Sequence, residues 1–207
     1  TDEEAGRREL LGATMVGRHA GLAAALAVTF AGNLVLALFT AGGEVAQGLP
    51  AAGSLAAGLK LAAVGCTFAA VGAVVAQLTE SAAAARGIGG AVLGGAFVLR
   101  AASDATGAVN GGPWLSWLSP LGLANEIRPF ATERWWLLAL VAVLVAALPA
   151  AAVALSARRD VGAGLVRPGL GPARATPGLR GPLALAWRLH WGPLLGWVVG
   201  LAVIAGV

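Results

Sequence analysis

Charged side chains are scarce in this sequence: Asp, Glu, Lys and Arg make up 12% of the 207 residues, whereas hydrophobic residues make up 58%. Soluble domains carry about 25% charged residues. A water-soluble fold of this length could not cover its surface with so few charges. Lipid as the solvent removes that requirement. The composition therefore excludes an ordinary soluble domain and favours an integral membrane protein.

The sequence also lacks the residues and motifs on which most catalytic chemistry depends. Cys66 is the single cysteine, which excludes a disulfide framework and a cysteine metal cluster. There is no G-x-x-x-x-G-K-[ST] loop for a nucleotide and no G-x-S-x-G turn for a hydrolase nucleophile. The two histidines, His19 and His190, are far apart in sequence. We therefore expect no catalytic residues, no metal site, no cofactor and no enzyme.

Four apolar runs are each long enough to cross a bilayer as a helix, which takes about 20 residues. They cover residues 20–41, 51–78, 82–102 and 137–157. A further apolar run starts at Pro193, and we expect the chain to be a piece of a longer protein. The sequence predicts an all-α integral membrane protein with about five transmembrane helices.

The connections between these runs differ in composition. Residues 103–134 contain three prolines, which prevent one continuous helix, and Trp114 and Trp117 suit a short helix among lipid headgroups. Residues 158–186 are rich in Pro, Gly and Arg, which is typical of a linker. We expect residues 187–207 to form an elbow helix and the start of the fifth span.

Most arginines lie on the cytoplasmic side of the membrane if the N-terminal segment is placed in the cytoplasm. Cytoplasmic loops of membrane proteins carry an excess of Lys and Arg. The outer side then holds Arg128 and Arg134, with Arg100 at a boundary. The basic residues therefore predict membrane topology and not binding to nucleic acid. The ten inner arginines are Arg7, Arg8, Arg18, Arg86, Arg158, Arg159, Arg167, Arg174, Arg180 and Arg188.

Three polar residues within the predicted spans are candidates for a transport pathway: Asn33, Lys60 and Arg100. An ionisable residue inside a membrane is a functional hypothesis by default. The alternatives stay open, since Lys60 and Arg100 can snorkel to an interface and Asn33 can bond a neighbouring helix.

The polar N-terminal segment, residues 1–18, reads as a short amphipathic helix at the membrane surface. Glu3 with Arg7 and Glu4 with Arg8 form i,i+4 pairs in the favourable orientation. A four-span region, residues 19–157, follows it. An ordinary juxtamembrane helix that orients the first span would have the same charges.

This segment resembles the cytoplasmic segment of ABC transporter permeases of the type-2 exporter class. Those permeases often carry E-x-G-x-x-E-L-L, then a T-P-V-S/G-R-like turn, then a membrane helix. Met15 stands where the family usually has proline. The matching positions are Glu4, Gly6, Glu9, Leu10, Leu11, Thr14, Val16, Gly17 and Arg18.

The resemblance implies that this segment is a coupling helix that docks on a separate ABC ATPase subunit, itself a dimer, in the cytoplasm. ATP hydrolysis would then belong to that partner. The residues to which it assigns the coupling role are Glu3, Glu4, Gly6, Glu9, Leu10 and Leu11.

Residues 69–88, 115–136 and 157–165 resemble the exporters of polyketide-type antibiotics within that class. The resemblance implies two halves of six helices in one chain, of which this sequence covers the last four helices of the first half. It also implies three further partners: the remaining permease chain, the lipid bilayer and a small amphiphilic substrate. The implied location is a bacterial plasma membrane, with the N-terminal segment in the cytoplasm.

Other functions stay open on the sequence. An ion-coupled secondary transporter would use Lys60, Asn33 or Arg100, although the acidic residues Glu44 and Asp104 lie at the edges of the predicted spans. A non-transporting assembly or scaffold subunit is another alternative. An intramembrane enzyme would need a nucleophile–base pair, which the sequence does not indicate.

Overall fold

The described part of the chain is helical, and the computed structural model describes residues 19–79, 82–110, 113–157 and 181–205. Four helices are long and apolar enough to cross a membrane. This confirms the predicted all-α membrane class. The helices are α1 (Ala20–Ala46), α2 (Ala51–Leu78), α3 (Ala82–Asn110), a 3-10 helix (Pro113–Leu118), α4 (Pro120–Asn125), α5 (Trp136–Ala157) and α6 (Pro182–Ala205).

Helix α6 belongs to a second compact unit, Pro168–Val207, which is distinct from the unit that contains α1 to α5. It begins at Pro182, before the predicted linker end at residue 186, and it continues through Pro193. Proline at the start of a helix loses no intrahelical hydrogen bond, so Pro182 is compatible with this earlier start. Residues 1–18 and 158–180 lie outside the described residues. The coupling helix and most of the linker therefore stay predictions, as does the fifth span.

The sequence predicted that the first span ends at residue 41, but helix α1 extends to Ala46. The helix is ended by Gly48 and not by the earlier pair Gly42 and Gly43. Gly48 has φ of 86°, the left-handed conformation that glycine adopts readily. Its N–H donates to the Val45 carbonyl at 2.9 Å, and the Leu49 N–H donates to the Glu44 carbonyl at 3.2 Å. These two bonds form a Schellman motif. The extension places Glu44 in the last turn of the helix.

Helix α3 also exceeds its predicted length, since it reaches Asn110 and not residue 102. The stretch after residue 102 holds no proline before Pro113, so backbone hydrogen bonding can continue to that point. The connection before α5 is correspondingly shorter than the predicted 103–134. The second span keeps its predicted bounds, Ala51–Leu78.

Helix α2 is the centre of the bundle and packs against α1, α3, α4 and α5. Its approach to α1 is close, because a side chain at Gly58 would collide with the backbone carbonyl of Ala37 and touch the methyl group of Ala41. Further along, Gly65 lies against the side-chain amide of Asn33. The two helices are therefore antiparallel, with small residues at their contact.

A compact apolar core lies where the N-terminal part of α2 meets the connection that precedes α5. Ala56, Ile127 and Leu137 are fully buried there, and Leu123 and Leu138 pack around them. These residues come from α2, α4 and its following turn, and α5. The core thus holds the connection against one end of the bundle. We call this end, which carries residues 47–50 and 113–135, the connection end.

The close contact at Gly58 predicts a position-specific effect of one added methyl group. Gly58→Ala should lower the free energy of unfolding by about 1–3 kcal/mol, as overpacking does. Gly72→Ala is the matched control, because nothing lies within 4 Å of an added Cβ at Gly72 in the same helix. Alanine is the better helix former, so the control should be neutral or slightly stabilising. Thermal unfolding in detergent measures both, and equal midpoints for the two variants would contradict this account of the α1–α2 contact.

Candidate functional site

A cavity of about 470 Å³ lies near the connection end of the bundle, between α1, α2, α3 and the residues that precede α5. Its polar lining comes from Thr40, Glu44, Lys60, Arg100 and Asn125, and the rest is largely apolar. The cavity therefore joins charged groups of both signs to apolar walls, inside a protein with few charges overall.

Lys60 reaches the cavity because of helical periodicity. Ala57, Leu61 and Val64 line the same cavity from α2, and residues three and four apart share one face of a helix. Lys60 is the tenth of the 28 residues of α2, about 14 Å along the helix from its first residue. Its half-buried side chain thus lies beyond the first turns of the span.

Arg100 enters the cavity from α3, opposite the α2 face that carries Lys60. Its Nε lies 3.4 Å from Oδ2 of Asp104, one turn further along the same helix. The Asp104 side chain is 63% exposed, and Asp104 does not line the cavity. The structure therefore brings two of the three predicted pathway residues, Lys60 and Arg100, to one cavity.

Asn33, the third predicted pathway residue, lies elsewhere. Its Nδ2 donates to the Thr29 carbonyl of its own helix at 2.9 Å, and its amide rests on Gly65 of α2. Asn33 thus packs against α2 at Gly65, while this hydrogen bond stays within α1 and does not reach the neighbouring helix.

Glu44 is a charged cavity residue that the sequence did not predict, because the predicted span ended at residue 41, before Gly42 and Gly43, and left Glu44 at its edge. Its Oε2 is buried and has no hydrogen-bond partner among the residues that the structure describes. The sequence signal for the longer helix was Gly48, because glycine commonly follows the end of a helix. A helix that continues to this point places Glu44 on the same face as Thr40, four residues earlier.

A strained turn covers part of the cavity. Arg128 and Phe130 both have positive φ, 53° and 64°, on either side of Pro129. Residues other than glycine adopt this region at a cost that surrounding contacts must offset. The Phe130 ring occupies the space that a side chain at Gly53 would need, and Pro129 and Phe130 line the cavity.

The carboxylate of Glu126 stabilises that turn through two arginines. Its Oε2 accepts hydrogen bonds from Nη2 of Arg128 at 3.1 Å and from Nη1 of Arg134 at 2.9 Å. The Glu126 side chain is only 12% exposed, so its two ion pairs are screened less than surface pairs. The Arg134 N–H also donates to the Ile127 carbonyl at 3.0 Å.

Two buried serines attach the connection to α3. Ser119 Oγ donates to the Ala96 carbonyl at 2.9 Å, and the hydroxyls of Ser103 and Ser116 lie 2.7 Å apart. Since Ala96 and Ser103 lie well inside α3, the 3-10 helix and α4 fold back along that helix. This places Leu121 and Ala124 of α4 in the cavity wall.

No protein-family model matches the chain. The chain is 48% identical over 202 residues, 98% of its length, to the multidrug efflux system permease protein Rv1217c of Mycobacterium tuberculosis. It is homologous to part of an efflux permease. The chain spans 36% of the length of that relative.

This match confirms the resemblance to exporter permeases that the sequence carries. With the four apolar helices it also indicates a multi-pass membrane protein. The name of that relative describes a transport component, in line with the expectation of a permease subunit. Because the match covers nearly the whole chain, the cavity lies within the part that the permease shares with this chain.

The ion pairs of Glu126 predict a loss of stability on neutralisation. Glu126→Gln should destabilise the protein by about 1–2 kcal/mol, because hydrogen bonds to charged groups contribute about 1.5–3 kcal/mol and the two arginines are partly solvated. Glu133→Gln, in the same connection, removes the same charge and is the control. A thermal unfolding midpoint that drops equally in both variants would show that overall charge, and not the Glu126 contacts, is responsible.

Proposed function

We propose that the chain is part of the membrane-spanning permease of an ATP-driven ABC exporter that moves amphiphilic small molecules out of a bacterial cell. The observation that carries the proposal is the 48% identity to a multidrug efflux permease along nearly the whole chain. The lining of the cavity supports it, because charged and apolar walls together suit molecules with a polar and an apolar part.

The energy for transport would come from a separate ATPase subunit, a dimer, on the cytoplasmic face. The chain has no nucleotide-binding loop of its own, and the coupling segment around Glu4 and Glu9 directly precedes α1. Closure of the ATPase would push on that segment, and rigid shifts of the helices would open a path for the substrate.

An ion-coupled secondary transporter is the second candidate function. The observation that favours it is Glu44, which supplies the acidic group that the sequence reading did not place within a span. Its carboxylate lines the same cavity as Lys60, and a carboxylate beside an ammonium group is the arrangement that an exchange of protons or cations would use.

The proposed topology places the connection end outside the cell, which labelling can test. In a Cys66→Ala background, Thr132→Cys in the connection should react with a membrane-impermeant maleimide on intact cells. Ala83→Cys, at the opposite end of the bundle, should react only after the cells are permeabilised. Thr132 lies in the connection outside the candidate spans, and Ala83 lies in the first turn of α3, three residues before Arg86, so access to each depends on its side of the membrane. The reverse pattern would overturn the topology.

Charge reversal in the coupling segment should separate ATP hydrolysis from transport. The double variant Glu4→Lys, Glu9→Lys should reduce efflux at least about tenfold, because repulsion at a docking surface weakens it by 1.4 kcal/mol or more. ATPase activity of the partner and insertion into the membrane should persist. Efflux of a dye from whole cells, or its ATP-driven uptake into inverted vesicles, measured beside ATP hydrolysis, tests this.

The matched control is Glu133→Lys, a charge reversal on the proposed outer side, which should leave efflux unchanged. Unchanged efflux in the double variant would contradict the coupling role. Efflux that persists without ATP and stops when the proton gradient is collapsed would instead support the secondary transporter.

A further inference from the structure

We propose that the cavity is a binding site for the anionic head group of an amphiphile, held by Lys60 and Arg100, with Glu44 as a competing carboxylate. The inference deepens the proposed function, because it names the chemical class of ligand that the permease would bind. It rests on which side chains of the described residues meet in the cavity.

Two cations converge on one space from different helices. Lys60 projects from α2 and Arg100 from α3, and both line the cavity. Cations within a membrane are rare and are retained where they face a cavity and meet a partner of opposite charge. The cavity holds one carboxylate, that of Glu44, against these two cations. Arg100 has a partner outside the cavity in Asp104, whereas Lys60 forms no ion pair with a described residue, so an anion from outside the chain would supply the partner that Lys60 lacks.

Arg100 retains capacity for such a ligand although it pairs with Asp104. The guanidinium carries five N–H donors in a planar fork. Asp104 approaches Nε at 3.4 Å and is itself largely exposed. The donors on the terminal nitrogens therefore suit a carboxylate or phosphate within the cavity, the planar geometry in which arginine binds such groups most strongly.

The remaining walls define the rest of the ligand. Leu61 and Val64 of α2, Leu121 of α4, and the Phe130 ring are apolar and line the same cavity. A small inorganic anion would leave these walls unused. An acid joined to an apolar body would contact both the cations and the apolar walls, so the ligand class is an amphiphilic organic acid or phosphate.

Glu44 gives the proposal a test of opposite sign. Its carboxylate shares the cavity with both cations, and its buried Oε2 has no hydrogen-bond partner among the described residues. An anionic ligand must displace or tolerate this charge, so its removal should strengthen binding. A merely structural role for the three residues predicts weaker binding in every variant.

The experiment uses the intact permease that contains this chain, in phosphatidylcholine nanodiscs. The probes are a pyrene-labelled decanoic acid and its methyl ester, which share an apolar body and differ in charge. Lys60→Gln and Arg100→Gln should each weaken binding of the acid about tenfold, the equivalent of 1.4 kcal/mol, and leave binding of the ester nearly unchanged. Glu44→Gln should tighten binding of the acid severalfold.

Arg86→Gln is the matched control, because Arg86 lies at the other end of α3 and does not line the cavity. It should bind both probes like the wild type. If Lys60→Gln does not fold, Lys60→Arg and Glu44→Gln keep the test open, since one retains the positive charge and the other removes the competing negative charge. Equal binding of acid and ester by the wild type, or weaker acid binding in Glu44→Gln, would overturn the proposal.

A second arm separates two sources of the same chemistry. Phosphatidylglycerol in the nanodisc should displace the acid if the cavity holds a lipid head group, and should not displace it if the cavity selects a free organic acid; either result supports an anion site. ATP-dependent efflux by the wild type is measured in parallel. Efflux without any preference for the acid overturns the site alone, whereas acid binding without efflux overturns the proposed function alone.

Discussion

The close contact between α1 and α2 at Gly58 is the interaction on which the rest of the arrangement depends. In lipid, helices gain little from burying apolar side chains against each other, so their association relies on close packing and on hydrogen bonds. Gly58 lets the α2 backbone reach the Ala37 carbonyl. That contact sets the register of the two helices. Glu44, near the end of α1, and Lys60, near the start of α2, come to the same cavity as a consequence.

The connection before α5 forms part of the cavity wall, and polar side chains hold it in place. Ser119 donates to a carbonyl inside α3, and Glu126 accepts from two arginines, so the irregular backbone is held by side chains where no regular ladder exists. These contacts offset the energetic cost of the positive φ angles at Arg128 and Phe130, on both sides of Pro129. Phe130 is thereby fixed over Gly53, where it forms part of the cavity wall.

The sequence predicted what depends on a long apolar run and missed what depends on local ends and on contacts distant in sequence. The bounds of α2 followed from an apolar run that begins after Pro50 and ends before the polar pair Thr79 and Glu80. Glu44 was misplaced because Gly-Gly resembles a loop, while the residue that ends α1 is Gly48 in a left-handed conformation. The meeting of Lys60 with Arg100 could not be read from either helix alone, since it depends on how α2 packs against α3. The pathway roles of these residues, and the coupling role of residues 1–18, stay predictions.

On the proposed function, the rigidity of the α1–α2 pair explains how a permease without its own ATP site could act on a cavity far from its motor. The coupling segment runs directly into α1, whose 27 residues span about 40 Å and carry Glu44 in the last turn. If α1 shifted as a body, the close contact at Gly58 would carry α2 and Lys60 with it. The distance between Lys60 on α2 and Arg100 on α3 would then change, and with it the grip of the two cations on a ligand. The small-residue contact that builds the cavity would thereby couple its occupancy to the position of the N-terminal segment.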